Sequence, residues 1–131
     1  MTLRRELGVW SAAMFPDSIS APGGGRIVFL SGMGAEDVDD GHIRHPGDFE
    51  AQCRYSYEKV KAALARQDAS ISDVVKVTTY LLDRANRGVN TECRKEAFAG
   101  AELPVHTLVV VAGLAWPEML VEIDVVAVVQ P

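Results

Sequence analysis

The stretch from Met119 to Val129 limits the fold of this chain most tightly. Val121, Ile123, Val125, Val126, Ala127, Val128 and Val129 leave it apolar at nearly every position. Strand side chains alternate between two faces, so a run apolar in both registers must be covered on both. The spacing therefore predicts a strand inside a sheet whose two faces are both occupied. At 131 residues the chain is read as one domain, residues 1–131, large enough to bury a core and small for a deep cavity of its own.

The remaining elements follow from period and punctuation. Phe49, Cys53, Ser56, Val60, Ala63 and Leu64 recur three and four apart, which predicts one face of a helix from Asp48 to about Gln67, with Asp48 as N-cap. Val74 to Leu82 is rich in β-branched residues and reads as a strand, as do Arg26 to Ser31 and Val105 to Val111. Asn90 to about Gly100 suits a second helix, and Trp116-Pro117-Glu118 the turn before the last strand. The first fifteen residues read as a short strand or arm ending in a turn, and Pro22-Gly23-Gly24-Gly25 as a hairpin turn. The order β-β-α-β-α-β-β makes a two-layer α+β domain. Two helices can cover only one face of the sheet, so the other is expected to meet a neighbouring copy.

Composition narrows the partners. The charge is −5 with no Lys/Arg stripe, which suits neither nucleic acid nor an anionic membrane surface. The apolar runs are strand-sized, and Met1 to Arg5 is followed by no apolar segment of signal-peptide length, so a cytoplasmic protein is expected. Cys53 and Cys93, outside any C-x-x-C pattern, read as reduced thiols. His42 and His45 with Asp39, Asp40 and Asp48 have the irregular spacing of a solvated loop, and no metal is assigned to them. The glycine run at 23–25 lacks nucleotide-binding spacing.

His106 and Glu122 interrupt apolar runs on two strands expected to be adjacent, with Asp124 close behind. An ionisable group in such a run must be paired, solvated in a cleft or neutral. Histidine carries protons near neutral pH and a carboxylate can position water, which makes the two a candidate acid–base pair. The plainer reading has His106 hydrogen-bonded within an interface and Glu122 at a solvated strand end. Ser31-Gly32 closes a strand where backbone N–H groups can face an oxygen, though on its own so common a pair reads as a turn rather than an anion site. Asn90 reads as a helix-start residue that either caps locally or reaches a ligand.

Several segments together resemble the Rid, or YjgF-type, family of reactive intermediate deaminases. They are Ile27 to Gly32, Gly47 to Gln52, Ser72 to Thr78, Val89-Asn90 and Leu120 to Ala127, within a likeness running from about Pro16 to Val129. The resemblance implies a chorismate-mutase-like α+β fold, a homotrimer with clefts between subunits, and hydrolysis of imines or enamines without metal or organic cofactor. It implies Glu122 as the water-holding acid, Ser31-Gly32 as the amide-bearing strand end, and Asn90 and Leu108 among the residues lining the cleft. The family's carboxylate-gripping arginine is replaced by His106, and Ser18 stands near a usual cleft tyrosine. A neutral imidazole offers one N–H where a guanidinium offers a charged fork, so ordinary 2-imino acids fit poorly and a larger or uncharged small molecule is expected. The alternative is a trimer that binds a small molecule or a protein without turnover.

Overall fold

The computed structural model describes residues 3–131, so Met1 and Thr2 of the arm lie outside the described residues. In chain order it holds β1 (Arg4–Glu6), β2 (Ser18–Ser20), β3 (Arg26–Phe29), α1 (Phe49–Arg66), β4 (Val74–Leu81), α2 (Arg87–Ala97), β5 (Val105–Val110) and β6 (Val121–Val129). Strands β3, β6, β4 and β5 form one sheet in that order; β1 and β2 pair as a separate ribbon. This is the expected α+β fold, with the ribbon added by the arm.

Helix α1 forms where the periodicity put it. The Asp48 carboxylate accepts the Ala51 N–H at 3.0 Å, and Phe49, Cys53, Ser56, Val60, Ala63 and Leu64 are all buried. Gln52, buried on the same helix, donates to the Glu118 carbonyl and accepts from the Leu120 N–H, both at 2.9 Å. These bonds fix the turn that launches β6. β6 then alternates: Val121, Ile123, Val125 and Ala127 are buried under the helices, while Glu122, Asp124, Val126 and Val128 face the other way.

That other face is uncovered. Phe29 (74% exposed) and Ile27 (57%) lie on it, paired with Val126 and Val128. Tyr80 and Val109 continue it across β4 and β5. The apolar character of β6 in both registers is thus answered on one face by helices and on the other by nothing among the described residues.

Four expectations need correction. β5 and β6 are not neighbours: β4 lies between them, parallel to β5 and antiparallel to β6. The α2 crossover makes β5 parallel to β4 and takes up one edge of β4, leaving β6 the other. Pro22 to Gly25 is not a hairpin turn, because β2 pairs with β1 and β3 with β6; it joins two sheets. α2 begins at Arg87, after a 3₁₀ turn at Arg84–Asn86, so Asn90 sits inside the helix rather than at its start. Cys53 and Cys93 are not free thiols: they are joined in a disulfide between α1 and α2, their Cα atoms 6.5 Å apart, because both lie on the packed faces of these helices.

Candidate functional site

The register of β4 divides the candidate residues between two sides of the sheet. His106 pairs with Val77 and Leu108 with Thr79, both on the helix-covered side; Glu122 pairs with Tyr80 on the uncovered side. One protomer therefore carries the candidate residues in two separate groups, the candidate half-sites.

The first half-site surrounds His106. Its Nε2 lies 2.9 Å from the buried Thr79 hydroxyl, and the Phe15 ring centroid is 6.5 Å from its own. His106 and Phe15, with Leu108, Trp10, Met14 and Arg94, border a cavity of about 490 Å³. The arm forms its apolar wall, and the ion pair Arg5–Glu102, at 2.6 Å, ties that arm to the loop before β5. Burial, helped by the positive charges of Arg94 and Lys76, lowers the His106 pKa to about 4. The imidazole is neutral at pH 7. Because the Thr79 hydroxyl can either donate or accept, the ring can present an N–H or a lone pair to the cavity.

The second half-site lies at the end of β3. Phe29 pairs with Val126, yet Met33 bridges to Ile123, so the β3 side gains one residue and bulges. Within the bulge the N–H groups of Ser31 and Gly32 bond to no described residue. The Glu122 carboxylate rests against Gly32, where an added Cβ would stand 2.7 Å from its Cδ. Only glycine permits that approach. Partial burial raises the Glu122 pKa, and Glu36 and Asp124 add to the effect, while Lys59 opposes it. A carboxylate raised in this way is a stronger base toward water than an ordinary surface one.

Two predicted residues stand apart. Asn90 is fully buried between the helices, its Oδ1 3.8 Å from Cys53 Sγ and its Nδ2 without a partner among the described residues. Ser18 is exposed on β2, its hydroxyl 3.4 Å from Glu6, and does not border the cavity; Trp10, Met14 and Phe15 form the wall there. Sequence reasoning missed Arg94, which is only 2% exposed. Its place one turn after Asn90 on α2 was the available signal.

Asp37, Asp40 and His42 meet on the exposed loop. Their carboxylates bond the loop's own N–H groups, Asp37 to Asp39 and Asp40 to His42, as turn residues do.

The family described as Endoribonuclease L-PSP matches residues 12–129. The chain belongs to the Rid (YjgF/L-PSP) family. Among Rid relatives, a RutC family protein of Pyrococcus abyssi is 34% identical over 103 residues, covering 79% of each chain. The Escherichia coli protein named "Putative reactive intermediate deaminase TdcF" is 32% identical over 106 residues, 79% of this chain and 80% of its own. In structure the chain resembles the Rid family protein YyfB of Yersinia pestis, whose function is unknown, with TM-score 0.88, 24% identity and coverage of 97% and 98%. No helix among the described residues is long and apolar enough to cross a membrane.

Proposed function

We propose that this Rid protein hydrolyses a reactive imine or enamine without a cofactor, in a site completed between subunits of a homotrimer. Single-chain geometry supports the shared site: His106 and Glu122 of one protomer face opposite sides of the sheet. They can serve one substrate only if His106 of one copy meets Glu122 of another. The uncovered face bearing Phe29 and Val126 supports the assembly.

The observation that carries the chemical reading is the Glu122 carboxylate seated at Gly32, beside two backbone N–H groups with no partner among the described residues. An enamine tautomerises to its imine and takes a proton on nitrogen. Water then adds to the carbon as Glu122 accepts a proton from it. The resulting amino alcohol collapses to a carbonyl compound, and nitrogen leaves as ammonia or an amine. His106, neutral at working pH, relays protons through its Thr79-bonded ring rather than acting as a fixed cation. It replaces a guanidinium at that strand position, so the substrate departs from ordinary 2-imino acids. Ammonia release from freshly generated imines, compared among wild type, His106→Ala and Glu122→Ala, tests the reading. Equal rates in all three would remove both residues from the mechanism.

A binding protein without turnover is the second reading, and the pKa of about 4 at His106 favours it, since such a ring is a poor acid near neutrality. An acidic chain of charge −5 does not favour RNA cleavage, despite the description of the matching family.

A further inference from the structure

Arg94 is a buried cation without a counter-ion. Only 2% of the residue is exposed, and no carboxylate of the described residues pairs with it. Its Nη1 donates to the Met14 carbonyl at 3.1 Å, and among the described residues its buried Nε has no partner and Nη2 bonds to none. Tyr57, the nearest group of opposite tendency, keeps its proton because burial pushes its pKa up. The other neighbour, His106, is neutral. A guanidinium held out of water with one hydrogen bond is costly unless an anion reaches it.

The protein leaves room for such an anion. Arg94 borders the cavity of about 490 Å³ shared by His106, Leu108, Trp10 and Phe15, with Arg87 adding a second positive charge. Its lining combines cationic and hydrogen-bonding groups with aromatic and aliphatic ones. The exposed Glu92 lies at the same cavity and is its acidic member.

We infer that Arg94 is the anion receptor of this protein, taking the carboxylate of a ligand whose apolar or aromatic body lies against Trp10, Phe15 and Leu108. The inference deepens the reading of this cavity as the substrate pocket and rests on it. It narrows the substrate class to an imine or enamine carrying a carboxylate and a sizeable apolar group. The grip comes from α2 instead of β5, so the carboxylate sits differently relative to the reacting carbon than in a compact 2-imino acid.

The test uses two unreactive probes, 3-phenylpropionate and its neutral amide, titrated into the intact protein at pH 7 by calorimetry and NMR. The carboxylate should bind at least about tenfold more tightly than the amide, as a charge-assisted bidentate contact requires. Its binding should shift the His106 ring signals and raise that residue's pKa, because an anion offsets the nearby cations. In Arg94→Met the preference should vanish while amide affinity holds. If that variant fails to fold, the wild-type comparison still decides. Equal affinity for the two probes, no binding of either, or a preference that survives in a folded Arg94→Met overturns the inference. Carboxylate binding without ammonia release from any imine would uphold Arg94 and sink the hydrolase reading instead.

Discussion

Burial shifts the pKa values of Glu122 and His106 toward their neutral forms, and this ties function to stability. The raised pKa of Glu122 means that folding favours its protonated form; its ionisation costs stability as pH rises through the folded pKa. Glu122→Gln should therefore leave the melting temperature at neutral pH equal or higher while abolishing ammonia release. A fall in melting temperature would show instead that the carboxylate is a structural partner. His106 has the opposite shift: its folded pKa of about 4 lies below the ordinary 6.5, so the unfolded chain binds the proton first. Stability should fall as pH drops from about 6.5 to 4, by on the order of 1–3 kcal/mol from this residue. Urea unfolding across that range should show the loss, and His106→Asn should flatten it. The sequence marked both residues as interruptions of apolar runs. It hid Arg94, because arginine is a surface residue by default and its burial follows from how α2 packs beneath the arm.

At the scale of elements, α1, its Asp48 cap and the alternation of β6 were legible because each rests on short-range spacing. The order β3-β6-β4-β5 was not, since pairing between strands distant in sequence leaves no local trace, and this misplaced His106 beside Glu122. The same nonlocality hid the pairing of Cys53 with Cys93, 40 residues apart. Thiol titration of the unfolded protein without reductant should find no free cysteine and, after reduction, two. The cross-link closes a long loop, so reduction should destabilise the fold by roughly 2–4 kcal/mol. The bulge at Ser31-Gly32 makes a sharper prediction. Gly32→Ala would place a methyl group against the Glu122 carboxylate, so activity should drop about a hundredfold through misplacement of that group. Ser31 and Gly32 are exposed, and the melting temperature should move little; a large loss of stability with activity retained would contradict this role.

For the whole molecule, the apolar sheet face and the two candidate half-sites both support the proposal that the working unit is larger than one chain. Phe29→Asp combined with Val126→Asp should convert the proposed trimer to monomer in light scattering and remove activity, because charges on that face cannot be buried without partners. The most direct test of the shared site mixes His106→Ala and Glu122→Ala protomers, unfolded and refolded together in equal amounts. If each site draws His106 from one copy and Glu122 from the next, about a quarter of the sites regain both residues by random assortment. Ammonia release should rise from near zero in either parent to about a quarter of wild type. A mixture no more active than its parents would contradict the account.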